Sequence, residues 1–229
     1  MKKLTLAASG LVLLAGAAFA DSTNIGAKLS VGNFDASGTH TTNSGSITSG
    51  GPAVSSSGDA TFPFASVFLE REKEFSNMSI ALGLDYIPLT AEIDKIGGGA
   101  AANGAGATVE AGNQITLYVQ PSKELSNGLK VFGKLGYSKM QLEIRDINRQ
   151  ADSTASPAIS TDASQSKDLD GVMVGLGLEK SVSVGPFDFI RLEATYTDYD
   201  SVKHTNSNGK ILTADADLTA INLSIGKKF

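Results

Sequence analysis

Eight stretches of this chain alternate apolar side chains with small or polar ones at a period of two. They are Thr23–Phe34, Thr61–Glu72, Met78–Leu89, Asn113–Ser122, Leu129–Glu143, Leu169–Lys180, Phe187–Tyr199 and Asp217–Phe229. Ile25, Ala27, Leu29 and Val31 mark one face of the first; Met78, Ile80, Leu82, Leu84 and Tyr86 mark the third; Val172, Val174, Leu176 and Leu178 mark the sixth. Alternation of this kind predicts strands with one apolar face. The connections between them alternate strictly in length. Asp35–Ala60, Thr90–Gly112, Ile144–Asp168 and Asp200–Ala216 are long, and the links at Phe75-Ser76-Asn77, Ser126-Asn127-Gly128 and Ser183-Val184-Gly185-Pro186 are short. An even number of strands with turns at one end and loops at the other predicts an all-β, eight-stranded antiparallel up-and-down transmembrane β-barrel, with short periplasmic turns and four long external loops.

The other face of the strands decides between a membrane and a water-soluble barrel. It is dominated by Gly26, Ser30, Gly32, Ser79, Ala81, Gly83, Gly175, Gly177, Ser224 and Gly226. Repeated glycine on a water-facing strand weakens the strand and serves little there. Turned inward, small residues leave room for a few long ones. Lys28, Asp85, Lys130, Lys134, Glu179, Arg191 and Glu193 share that face and are of mixed sign. The expectation is a charge network in the lumen, because buried charges are tolerable only when paired. Lipid then covers the apolar face. None of the fourteen Phe and Tyr residues after Phe19 falls in a long loop. Phe62, Phe64, Tyr86, Phe187, Phe189, Tyr196 and Tyr199 fall at strand ends and predict two aromatic girdles. Met140, Leu142 and Ile144 have the opposite phase to Leu135 and Tyr137. Either a β-bulge near Ser138 flips the face or these residues form an apolar lid over the lumen, and the bulge is the preferred reading.

The two ends are consistent with export and closure. Met1–Ala20 carries two lysines, an apolar run and Ala18-Phe19-Ala20 before Asp21, the pattern of a cleaved signal peptide. The expected mature barrel domain is therefore 21–229. Without Lys2 and Lys3, 17 basic residues face 24 acidic ones, which argues against nucleic acid as a partner. There is no cysteine, so neither disulfides nor thiol chemistry is available. At the other end "INLSIGKKF" places Ile221, Leu223 and Ile225 in alternation and stops on Phe229. In hydrocarbon every backbone group must be bonded, so this last strand has to pair with the first.

With these residues in view, the chain resembles the small outer-membrane β-barrels of the OmpA/OmpX and opacity-protein type. The best-matching pieces are "LKVFGKLGYSKM", "DGVMVGLGLEK", "FIRLEATYTDYD" and "INLSIGKKF". The resemblance implies residence in a bacterial outer membrane. It also implies partners during biogenesis: periplasmic chaperones and a barrel-assembly machinery that reads Ile221, Leu223, Ile225 and Phe229. Lys227 departs from the aromatic common at that place. No periplasmic peptidoglycan-binding domain is expected.

Signals for chemistry are weak. His40 and His204 are the only histidines and fall in long loops, near Ser37, Asp200 and Ser201. A nucleophile and base need hydrogen-bond reach and an orienting partner, and loops rich in Ser place one near a His by chance. "KIGGGAAANGAGATVEAGN" lacks the Lys-Ser/Thr of a phosphate loop. "KDLDG" and "TADADL" lack calcium-loop spacing. No catalytic, cofactor-binding or metal-ligating residue is therefore assigned, and no cofactor is expected. The favoured reading is a non-enzymatic structural or surface-exposed barrel, with loops available for interaction. The alternatives are a small or gated porin-like channel and a lipid-modifying enzyme.

Overall fold

The computed structural model describes residues 20–42, 54–88, 91–96, 106–148, 165–205 and 210–229. Among these residues nine strands form one sheet: β1 (Ser22–Thr42), β2 (Val54–Phe75), β3 (Met78–Ile87), β4 (Ala91–Ile96), β5 (Gly106–Glu124), β6 (Leu129–Asn148), β7 (Gln165–Val184), β8 (Phe187–Thr205) and β9 (Lys210–Lys228). β3 and β4 both pair with β5 and form the lower and upper parts of one stave, broken at Pro88, so the ring has eight staves. All pairings are antiparallel, and β1 closes the ring against β9. Following the register from Asn33 through β9, β8, β7, β6, β5, β3 and β2 returns to β1 at Thr23, ten residues away. That offset is the stagger a closed barrel of tilted strands requires.

Closure reaches the chain's last residue. The Phe229 N–H donates to the Thr23 carbonyl at 2.8 Å, and the Thr23 N–H donates to the Phe229 carbonyl at 2.9 Å. Asp21 is tied in as well, its N–H donating to the Glu72 carbonyl at 2.8 Å and its carboxylate accepting from Lys73 at 2.8 Å. At the same end Ser76, Gly128 and Gly185 have φ of 50°, 71° and 60° and turn the chain tightly. The expected signal peptide through Phe19, with Ala18, lies outside the described residues.

The strands run well past the bounds expected from alternation. β1 continues to Thr42 and β2 begins at Val54, so much of Asp35–Ala60 is ladder rather than loop, and the described ends of the three other long connections are strand as well. Their Gly-, Ser- and Thr-rich segments lack an apolar face, yet the neighbouring strand supplies hydrogen bonds whatever the side chains are. His40 and His204, expected in loops, lie on these extensions, and the register places them on either side of Leu212.

The two faces are inverted relative to a soluble protein. Twenty-four large apolar side chains among the described residues are exposed, with Leu29 at 68% and Leu176 at 74%. Leaving each Leu, Ile or Val in water instead of an apolar medium costs about 1.5–3 kcal/mol. A continuous belt of them is far beyond what a soluble monomer exposes, so lipid is its solvent. Tyr86, Tyr137 and Tyr196 stand outward at the upper side of this belt, and Phe75 and Phe229 at the turn side. The girdle reading needs correction for other aromatics. Phe64, Phe189 and Tyr199 are buried inside the barrel, and Phe62 packs against the buried core. The strand phase decides this: Phe62 and Phe64 alternate in step with inward Ser66, and Phe189 and Tyr199 in step with inward Arg191.

The expected bulge near Ser138 is also corrected. β6 pairs with β7 without a register shift from Leu129 to Ile144. The irregularity lies on the partner strand, between Gly112 and Ile115 of β5, where Asn113 has φ 40°. Ser138 and Met140 therefore both face inward, and Met140 belongs to an apolar lid.

Candidate functional site: a layered lumen

The barrel interior is stacked in three layers. Nearest the short turns and at mid-height lies a charged layer. Arg191 on β8 reaches across to β2 and grips Glu70 with both terminal nitrogens at 2.7 Å, while its Nε donates to Glu179 at 2.6 Å. Lys134 on β6 donates to Glu193 at 2.6 Å, Lys28 on β1 to the other oxygen of Glu193 at 3.0 Å, and Lys28 also pairs with Asp85 on β3. Lys130 donates to Glu72 at 2.9 Å. Tyr118 donates to Glu70 at 2.7 Å, and Asn24 to Glu72 at 3.1 Å. Most of these contacts join staves that are not neighbours, so they bridge the lumen. The bidentate Arg191–Glu70 pair is the strongest geometry of its type.

The small residues of the inward face make room chiefly for aromatic rings. Gly26 lies opposite Phe68 in the register, Gly83 opposite Tyr118, Gly177 opposite Phe132 and Gly226 opposite Phe189. Each ring lies over its glycine, and a Cβ at any of the four would collide with it. Three of these rings surround Arg191, whose guanidinium carbon is 4.5 Å from the Phe189 centroid, 5.2 Å from Phe68 and 5.6 Å from Phe132. The Lys134 ammonium stands 4.4 Å over Tyr118. Ring faces add to the stabilisation of these desolvated cations.

Above the charges comes a neutral polar layer. Ser30 donates to Asn222 at 2.6 Å, Thr116 and Ser138 share a hydrogen bond of 2.6 Å, and Gln114 reaches Thr116 at 3.3 Å. Asn222, Thr116 and Gln114, with Lys28 and Asp85, border a cavity of about 40 Å³. The third layer is an apolar collar of Phe34, Ala111, Met140, Leu169, Tyr199 and Leu218, with Phe62 and Leu142 against it. Met140 and Tyr199 lie three residues beyond the outward Tyr137 and Tyr196 on their strands. The collar therefore sits inside the part of the barrel that rises above the lipid.

All six residues expected to form the lumen network, Lys28, Asp85, Lys134, Glu179, Arg191 and Glu193, lie in the charged layer. Glu70 and Glu72 were missed. They stand in "LEREKEF", a charge-dense run before a turn, although they continue the inward phase of Phe64, Ser66 and Phe68. Ile221, Leu223, Ile225 and Phe229 face outward, and Lys227 hydrogen-bonds the Pro186 carbonyl at 3.4 Å. Ser201 donates to Asp215. The side chains of His40 and His204 lie outside the described residues. Among the described residues no cluster of His, Asp or Glu is arranged to hold a metal.

No protein-family model matches the chain. No curated protein matches it either. Solved structures similar to the chain include Ail, the attachment invasion locus protein of Yersinia pestis, at TM-score 0.43 and 11% identity, over 88% of this chain and 98% of that one. The outer membrane protease OmpT from Escherichia coli aligns at TM-score 0.43 and 11% identity, over 90% and 97% of the two chains. Neisserial surface protein A aligns at 0.36 and 10% identity, over 86% and 96%. These likenesses are distant. The assignment as a transmembrane β-barrel of outer-membrane type rests on this chain's own features: an even ring, short turns at one end, an apolar belt and a polar lumen.

Proposed function

We propose that this protein is a non-enzymatic resident of the bacterial outer membrane, closed to solutes, whose raised strand extensions and connections act at the cell surface. The observation that carries this reading is the set of ion pairs from Arg191 to Glu70 and Glu179 and from Lys134 and Lys28 to Glu193. They occupy the cross-section of a barrel whose eight staves leave an interior just wide enough for side chains to fill. Opposite charges attract more strongly in that confined, weakly screened space than at a surface. An ion entering the lumen would have to break several such pairs at once. The collar above adds a second, uncharged obstruction. The engagement of Ser201 with Asp215 gives no support to a serine nucleophile there.

Planar-bilayer recording of the purified, folded protein at neutral pH tests the reading. No stable porin-like steps are expected. Steady, large single-channel currents would replace it with a channel function.

A further inference from the structure

The collar is not completely filled. A cavity of about 120 Å³ lies within it, lined by the rings of Phe34, Phe62 and Phe64 and by Met140, Leu218 and Ala111, with Gln114 on its polar side. It is three times the volume of the polar cavity below. The cavity also touches Pro63, which faces outward on β2, and Ile87 at the upper end of β3.

That is where the wall changes. β2 is laddered to β3 from Val67 opposite Tyr86 down to Phe75 opposite Met78. Above Val67, among the described residues, β2 is paired with β1 alone and β4 with β5 alone. Pro63 sits on the unladdered stretch of β2, and Pro88 sits in the break between β3 and β4. Neither has an N–H to offer a neighbouring strand. The cavity thus extends from the centre of the collar to an unlaced seam in the barrel wall, just above the outward Tyr86.

We propose that this cavity is a binding site for a small, uncharged, apolar molecule of about the size of one aromatic ring, reached through the seam between β2 and the β3–β4 stave. Size and lining select the class. Apolar cavities on the order of 150 Å³ stay dry and take up benzene-sized molecules. Three phenylalanine rings and a methionine thioether give ring-edge and sulfur contacts that suit an aromatic guest. An anion or ammonium would lose its hydration against these walls without gaining a charged partner. The site goes beyond the closed-barrel reading and does not depend on it, because nothing has to pass the charged layer.

Toluene is the probe. Residues 21–229 contain Met78, Met140 and Met173. Met140 lines the cavity, Met78 is exposed on the lipid face at the far end, and Met173 borders the polar cavity. Residues 21–229, folded into lipid nanodiscs with ¹³C-methyl methionine, are titrated with toluene and read by methyl NMR. The Met140 signal should shift and saturate while Met78 drifts in proportion to toluene dissolved in lipid. Ala111→Phe, which fills the cavity, should reduce the Met140 shift at least tenfold. Sodium benzoate, the same ring with a charge, should give no saturable shift on the unaltered chain, which keeps the test decisive if the variant does not fold. A Met140 response that only parallels Met78, a saturable response undiminished in Ala111→Phe, or equal saturation by benzoate would each overturn the proposal.

Discussion

The charged layer and the apolar collar occupy the same tube, a few residues apart on the same strands, and solve the problem of filling it in opposite ways. In the charged layer each side chain is placed by a partner of opposite sign on another stave, and rings over glycines close the remaining space. In the collar no direction is specified, and volume alone does the work. The first kind of packing leaves no tolerance for losing a partner. The second tolerates a void, and has one. Position explains the difference. The lower lumen is wrapped in hydrocarbon, where paired charges are held firmly and unpaired ones are costly. The collar stands beside water, where apolar residues gain from facing each other.

The largest effect is expected where pairing is broken. Arg191→Ala strands Glu70 and Glu179 in the buried layer, and removing one partner of a buried pair costs about 3–5 kcal/mol. Urea unfolding in lipid should show a loss of that order, and an unchanged midpoint would mean the network contributes little. In the collar, Leu169→Ala removes a fully buried side chain. A loss of about 2–5 kcal/mol is expected. Any loss should be insensitive to salt, and a strong ionic-strength dependence would blur the contrast between the layers. Gly177→Ala pushes a methyl into the Phe132 ring beside Arg191. Overpacking of this kind costs about 1–3 kcal/mol. Phe132→Leu should relieve part of the cost in the double variant, and simple additivity of the two changes would argue against direct ring–glycine contact. The smallest effect belongs to the exposed rim. The hydrogen bond from Lys73, and then that from the Glu74 N–H, hold the Asp21 carboxyl below its ordinary value. A depressed carboxyl stabilises the fold above its unfolded value and loses that contribution as pH falls through the folded one. Asp21→Asn should therefore slightly flatten the stability change between roughly pH 5 and pH 2. A flattening as large as the Arg191 effect would show that the rim, and not the lumen, dominates.

The long–short order of the connections determined the up-and-down topology, and side-chain alternation determined the faces of Lys28, Asp85, Lys134, Glu179, Arg191 and Glu193. The reason is that a strand's side chains obey a period of two whatever lies around them, so one apolar face settles the other. Strand length was decided only by the tertiary structure. The Gly-, Ser- and Thr-rich extensions carry no pattern of their own and become ladder because a neighbour is already there. Partners were decided there too. Glu70 and Glu72 meet Arg191, Tyr118, Lys130 and Asn24 only because closure brings distant segments together. The bulge near Ser138 was misread for a related reason: Met140 and Leu142 are apolar because they belong to the collar inside the barrel, and an apolar side chain by itself does not say whether it faces lipid or an apolar part of the lumen. The unladdered stretch between upper β2 and β4, with the cavity behind it, has no counterpart in any one stretch of sequence. It exists where two strands lie side by side without a ladder between them.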